Sequence, residues 1–243
     1  MLPTTMAKSP FFLLLCLPSM AMAIDYDDNL WPSLPLLRKR ASRNVPEQGF
    51  YDPRSNGGSM LTVVEGTFPP GQGEPINMII SGNSDEDVLN DREEDGGLRN
   101  YWLSLEFAGE CLGQHSGSDQ GANLGDDNGT KNETAVIRFN YGNPQLGTCQ
   151  ETVDGGNHFR YWVQDGSQAN SGAIFMAASY EMPIASQHDI VSNGYNLARD
   201  YIVGNITQQT IPSVNLTNST TYSGTTSFDG YTYQTDVLYV SGF

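Results

Sequence analysis

The segment that most constrains the fold is His-Phe-Arg-Tyr-Trp-Val-Gln at 158–164. In a strand, alternate side chains take opposite faces, so Phe159, Tyr161 and Val163 share one face and His158, Arg160 and Trp162 the other. A turn rich in Gly, Ser and Asn follows at 166–172, and then a continuous apolar run at 173–181. The two runs read as a hairpin with the second strand central in its sheet. Shorter β-type runs lie at 61–64, 76–80, 135–141 and 231–240. The stretch 195–203 reads as a helix with Leu197, Tyr201 and Ile202 inward, and Ser84 or Asp85 as the cap of a short helix through Leu89. Residues 101–107 suit helix or strand. The stretch 109–133, rich in Gly, Asp and Asn, reads as a long irregular loop, and 207–227 as a Ser/Thr-rich connector. No repeat or linker divides the chain. The expected fold is a single α+β domain at 74–243, a mixed or antiparallel sheet with few helices and long Gly/Asn-rich loops. An N-terminal arm and first strand precede it at 41–73.

The N-terminus reads as an export signal. Lys8 precedes an apolar run at 11–17, and Ala21-Met22-Ala23 has the small-x-small pattern of a signal-peptide cleavage site. The run is too short for a membrane span and is broken by Pro18. A propeptide is expected at 24–40, ending in Arg38-Lys39-Arg40, since paired cations suit the acidic subsites of secretory-pathway processing proteases. Cleavage after Arg40 starts the mature chain at Ala41. Of the three cysteines, Cys16 leaves with the leader, and Cys111 and Cys149 remain for one disulfide, the simplest reading in an oxidising compartment. Sequons begin at Asn128, Asn132, Asn205, Asn215 and Asn218 and are candidate N-glycosylation sites.

Charge narrows the partners. The whole chain carries −16, and the mature chain keeps 8 basic against 25 acidic residues. Such a surface repels phosphate backbones and anionic lipid, so neither nucleic acid nor a membrane is the expected partner. Self-repulsion favours a soluble monomer. Aromatics such as Trp102, Tyr161, Trp162 and Tyr231 can stack on sugars or simply pack, so the expected ligand is unknown, with carbohydrate or cell wall as the candidate class.

No complete catalytic motif is present. The mature chain has three histidines, His115, His158 and His188, spaced too widely for spacing alone to define a site. Three neutral imidazoles can hold a divalent metal, and single ones can act as acid or base. Equally, each can have a separate structural role. The catalytic candidates are His158 with Arg160 on one strand face, plus His188 and Asp189, with Arg160 placed to bind an anion. Asp126-Asp127-Asn128-Gly129 fails the EF-hand pattern, because Leu124 and Ala135 occupy two of the ligand positions. No cofactor is expected, a divalent metal being the alternative. The favoured reading is a secreted acidic glycoprotein acting as a binding, surface or host-interaction module. The alternative is a secreted hydrolase with a His/Asp site, metal-assisted or not.

Several segments in order resemble the domain at the C-terminus of LssY-type proteins. They are 75–82 with Pro-Ile-Asn-Met-Ile-Ile-Ser-Gly, the His-x-Arg-x-Trp at 158–162, the apolar run 173–179, Gln187-His188-Asp189-Ile190, and Ala198-Arg199-Asp200 with the residues to 203. The chain is also similar to fungal secreted proteins of unknown function that share the Gly-Gly-Asn-His-Phe-Arg-Tyr-Trp stretch. The resemblance covers about 74–204. It departs at His188, which stands alone where the family doubles its histidine, and at Ala198, which replaces a glutamate. It implies no activity.

Expression through a eukaryotic secretory pathway is expected to release a product beginning at Ala41 whose mass falls on endoglycosidase treatment. N-terminal sequencing and intact mass check both. A product starting at Ile24 would show that Arg40 is not cut.

Overall fold

In the computed structural model the described residues are 42–64, 73–93, 97–115, 117–208, 214–226 and 232–240. The expected leader at 1–23, the propeptide at 24–40 and the cut after Arg40 lie outside them. Regular structure among the described residues comprises ten strands and three α-helices. The strands are β1 (Val63–Val64), β2 (Met78–Ile80), β3 (Phe107–Gly109), β4 (Gln120–Asn123), β5 (Thr130–Asn132), β6 (Ala135–Phe139), β7 (Gly156–Val163), β8 (Ile174–Glu181), β9 (Val214–Thr226) and β10 (Thr232–Val240). The helices are α1 (Leu98–Ser104), α2 (Gly147–Asp154) and α3 (Gly194–Gln208).

Seven strands form one sheet in the order β3-β6-β7-β8-β2-β10-β9, and β1, β4 and β5 form a second. The β2–β10 pairing is parallel, and the other pairings are antiparallel. The architecture is therefore a single α+β open-sheet fold with a mixed sheet and few helices. The β7–β8 hairpin sits near the middle of the large sheet, with Trp162 opposite Phe175 and His158 opposite Ser179.

Alternation along β7 sorts the core. Phe159 and Tyr161 face α1 and α3, where Trp102, Tyr101, Leu98, Ala198 and Ile202 cover them. Trp102 meets Phe159 and Tyr161 edge-on at centroid distances of 5.1 and 4.6 Å. Trp162 faces the other way, against Phe175, Ala177, Val237 and the small-sheet residues Ala122 and Leu124. Each such buried aromatic contributes roughly 1.5–3 kcal/mol by burial. The result is three layers, with helices on one face of the sheet and the small sheet and α2 on the other.

Several local expectations change. The 109–133 stretch is not one loop: it holds β4 and β5, whose short Gly-rich segments lack the apolar alternation that marks a strand. The 207–227 connector contains β9, a long edge strand paired with β10, so Ser/Thr content there reflects β propensity rather than looseness. Residues 101–107 divide between α1 and the start of β3. The turn at 84–89 forms no regular helix, and α2 was not legible. In α3 the inward residues are Tyr195, Ala198 and Ile202, while Leu197 and Tyr201 are exposed. The arm is sewn to the sheet end: Tyr51 N–H donates to Gln164 Oε1 at 3.0 Å and Gln164 Nε2 donates to the Tyr51 carbonyl at 2.9 Å. Among the sequons, Asn128 and Asn132 are exposed. Asn205 lies in α3, and Asn215 and Asn218 lie in β9.

Cys111 and Cys149 are joined, tying the start of α2 to the turn after β3 across a sequence separation of 38. Replacing both by serine is expected to cost about 4 kcal/mol, the loop-entropy value for that separation. Denaturant unfolding measures it, and an unchanged midpoint would contradict it.

Candidate functional site

One end of the sheet face beneath α2 is lined with charge. Strand register sets this up: Arg138 in β6 pairs with His158 in β7, and His158 with Ser179 in β8. Arg160 and Glu181 lie two residues along their strands and so share that face. Helix α2 lowers Glu151 onto Arg138, whose Nη1 donates to Glu151 Oε2 at 2.8 Å. The Cys111–Cys149 bond fixes α2 two residues before Glu151, beside Glu110, which approaches Arg138 at 3.6 Å. Gly155-Gly156 brings the chain from α2 into β7. A Cβ on Gly155 would lie 2.5 Å from the carbonyl oxygen of Glu181, and its φ of +75° further favours glycine.

His158 is fully buried at the centre. Its Nε2 accepts from Arg160 Nη1 and from Ser179 Oγ, each at 3.1 Å. Arginine only donates, so this nitrogen carries no proton and the ring proton sits on Nδ1. That proton faces Glu151 Oε1 at 3.7 Å. Burial first, then the Arg160 and Arg138 charges, hold the imidazole well below its usual range, so it stays neutral.

Glu181 bridges the two histidines, with Oε1 at 3.4 Å from His158 Nε2 and Oε2 at 3.3 Å from His188 Nδ1. Burial, and then the neighbouring Glu74, pushes this carboxyl up to about 8, against the pull of Arg160. Burial also raises Glu151, against Arg138, and Glu133, against Arg160. Glu133 Oε1 and Glu74 Oε2 approach Arg160 at 3.4 and 3.6 Å. Seven buried polar atoms in this cluster lack a hydrogen-bond partner: Glu74 Oε2, Glu133 Oε1, Arg138 Nε, Glu151 Oε1, His158 Nδ1, Arg160 Nε and His188 Nδ1. Polar groups left so are rare in folded interiors.

The cluster opens to solvent at His188, whose side chain is 29% exposed. Gln187 and His188 both have left-handed backbone, φ 60° and 57°. This conformation costs a non-glycine residue of the order of 1–2 kcal/mol, and it is held where His188 meets Glu181.

The structure thus brings His158, Arg160 and His188 together. Asp189 stands apart: its side chain is exposed, and its backbone carbonyl accepts from Met182 N–H at 2.9 Å. His115 belongs to another group, with Nδ1 2.8 Å from Glu110 and Nε2 3.1 Å from Asp119. The three histidines therefore do not converge on one point. Glu151, His158 and Glu181 offer ligand atoms within 4.8 Å of one another, as do His115, Asp119 and Glu133. In the first group Arg160 already occupies the unprotonated nitrogen of His158 and Arg138 holds Glu151. Two guanidiniums also oppose a divalent cation, so these atoms suit a shared proton better than a metal. In the 126–129 segment, buried Asp126 accepts from Lys131 Nζ at 3.2 Å, so an ammonium stands beside this carboxylate.

An open groove of about 560 Å³ runs along α1 and β3, floored by Trp102, Phe107 and Ile137, with Glu110 and His115 at its polar side. Glu110 links it to Arg138. The sequence did not single out Glu74, Glu133, Arg138, Glu151 or Glu181. The readable signal was Arg138, a charge between Ile137 and Phe139 in an apolar strand. Compared with family models, curated proteins and solved structures, the chain matches none, so the site stands on its own geometry.

The folded chain keeps the Glu181 proton up to about pH 8, whereas an unfolded glutamate releases it near 4.5. Stability from this group is therefore full below 4.5 and lost as pH rises through 8. Glu181→Gln has no proton to lose. Its stability relative to wild type is expected to rise across that window by the order of a few kcal/mol. His158 acts in the opposite sense, with stability lost as pH falls below 6.5. Thermal unfolding at pH 4.5, 6 and 8 tests this. A constant wild-type-to-variant difference would refute the protonated Glu181.

Proposed function

We propose that this chain is an exported hydrolase with an acid–base centre made by Glu181 and His188. The observation that carries this reading is the carboxyl of Glu181, set between two imidazoles at a partly open edge of a buried charged cluster. A carboxyl kept neutral near pH 7 is a proton donor of the strength general-acid catalysis needs. Glu181 gives its proton to the leaving oxygen of a substrate. His188, whose affinity for protons is lowered by burial and by Arg138, takes one from the attacking water. The bond to the leaving oxygen breaks, the bond to water forms, and the proton on His188 returns to Glu181 across 3.3 Å. Arg160 steadies the carboxylate that exists in between. Glu151, His158 and Arg138 act behind these groups by setting charge and position. Asp189, the carboxylate first paired with His188 in the sequence, has no part in this scheme.

The cluster's two arginines support a mechanism without a metal. The acidic surface, the expected leader, the glycosylation sites and the monomeric state belong to the same proposal, that of a secreted glycoprotein working outside the cell.

A panel of fluorogenic glycosides and esters tests the hydrolase reading. Wild type is expected to turn over at least one, with a rate that falls above about pH 8 as Glu181 ionises. Glu181→Gln is expected to lower kcat/KM by about 100-fold, the usual scale for a lost general acid. Failure of wild type on the whole panel, or equal rates for the variant, would overturn the reading and restore the binding module.

A further inference from the structure

The geometry points to a divalent-cation site at His115, Asp119 and Glu133, apart from the Glu181 centre and independent of the hydrolase reading. The β4–β5 ladder supplies two of the three ligands. Asp119 immediately precedes β4, and Glu133 immediately follows β5. Glu133 N–H donates to the Gln120 carbonyl at 2.9 Å, and Gln120 N–H donates back to Glu133 Oε2. Asn132, at the end of β5, donates through Nδ2 to Asp119 Oδ2 at 2.7 Å, while Asp119 Oδ1 meets His115. The third ligand follows the turn at Cys111, which the bond to Cys149 holds in place. His115, Asp119 and Glu133 each offer one ligand atom, all within 4.8 Å of one another.

The imidazole is arranged as a ligand. Its Nδ1 lies 2.8 Å from Glu110 Oε2, and its Nε2 lies 3.1 Å from Asp119 Oδ1. Carboxylates only accept, so the neutral ring keeps its proton on Nδ1, at the closer contact. Nε2 then turns a bare lone pair toward an anionic oxygen. Two such acceptors repel unless a cation stands between them. Nitrogen and oxygen ligands of one ion, at bonds of about 2.0–2.2 Å, sit roughly 3–3.5 Å apart, which matches this pair. A carboxylate behind the ring, here Glu110, is the usual orienting partner of a metal-bound histidine.

Glu133 gives a second, independent sign. Its side chain is only 2% exposed, and Oε1 has no hydrogen-bond partner, with Arg160 Nε 3.4 Å away. A buried anionic oxygen left in this way is costly, and a bound cation offsets the cost. Whereas a guanidinium takes the bare nitrogen of His158, carboxylates meet both nitrogens of His115, so the charge here favours a cation. One imidazole among the ligands selects zinc or a similar transition metal over calcium, which takes oxygen. The side chains of His115 and Asp119 are 41% and 49% exposed, which gives the ion a path from solvent. His115 and Glu110 also line the groove along α1 and β3, so the ion stands at its polar side.

The test is calorimetric titration of the full secreted protein, chelator-stripped and carrying no histidine tag, with zinc chloride and in parallel with calcium chloride. Zinc is expected to bind as one ion per chain and to raise Tm with its concentration. His115→Ala and Asp119→Asn, both at exposed side chains, are each expected to weaken zinc binding by about tenfold or more while the metal-free proteins stay folded. Glu181→Gln is expected to bind zinc as wild type does. Nitrogen-15 NMR of labelled histidine locates the ion, and the His115 Nε2 resonance is expected to shift when zinc is added. No zinc uptake, or uptake unchanged in both variants, would overturn the site. So would loss of zinc in Glu181→Gln with retention in His115→Ala, which would move the ion to the other cluster. Tighter binding of calcium than of zinc would remove the imidazole from the ligand set. A His115 ring that stays doubly protonated at pH 8 with zinc present would show an imidazolium clamped between two carboxylates and no metal site.

Discussion

The contact on which the site depends is the ion pair of Arg138 and Glu151, a guanidinium from inside a sheet against a carboxylate from a helix laid over it. Both side chains are almost wholly shielded from water. A charge buried in this way is tolerated only with its partner in place, and removing one member strands the other at a cost of about 3–5 kcal/mol. The pair therefore specifies how α2 sits on the sheet. The Cys111–Cys149 bond enforces the same placement covalently, and the Gly155-Gly156 corner lets the chain turn into β7 without colliding with Glu181. Three unrelated devices, electrostatic, covalent and steric, act on one short helix. The helix itself is weak, with glycine at its first position and no side-chain cap.

From that placement the protonation pattern follows. Glu151 pairs with Arg138, and Glu74 and Glu133 approach Arg160, so the two buried cations are already engaged. Glu181 lies between two imidazoles, and burial together with Glu74 outweighs the pull of Arg160 on it. A lone buried carboxylate is costly, and taking up a proton removes the cost. Arg160 completes the pattern by claiming Nε2 of His158, which fixes the tautomer and keeps that ring neutral. The raised carboxyl thus lies at the edge of the cluster rather than at its centre, beside the partly exposed His188.

Much of this was legible in the sequence and some was not. Alternation at 158–164 correctly divided the two faces of β7, and with them the two cores, because Phe159, Tyr161 and Trp162 are large enough to dominate their surroundings. The paired cysteines and the mixed α+β sheet were readable for similar reasons, one from number and compartment, the other from strand periodicity. The histidines drew attention because they are scarce. Glutamates do not stand out in a chain with 28 acidic residues, and so the partners of His158 and His188 were missed. Asp189 is adjacent to His188 in the sequence, yet neighbours in a turn point apart, and the carboxylate that reaches His188 comes from β8. Strands β4 and β5 were missed because Gly121 and Asn132 carry little hydrophobic signal. Their pairing comes from the small sheet packing over Trp162, a tertiary fact.

The central claim is that Glu181 holds a proton at neutral pH. Carbon-13 NMR of protein labelled at glutamate side-chain carboxyls, titrated from pH 4 to 9 in wild type and Glu181→Gln, measures it directly. The account predicts one carboxyl that titrates near pH 8 in wild type and is missing from the variant. A Glu181 resonance that completes its titration below about pH 5.5, around one unit above the usual glutamate value, would contradict it.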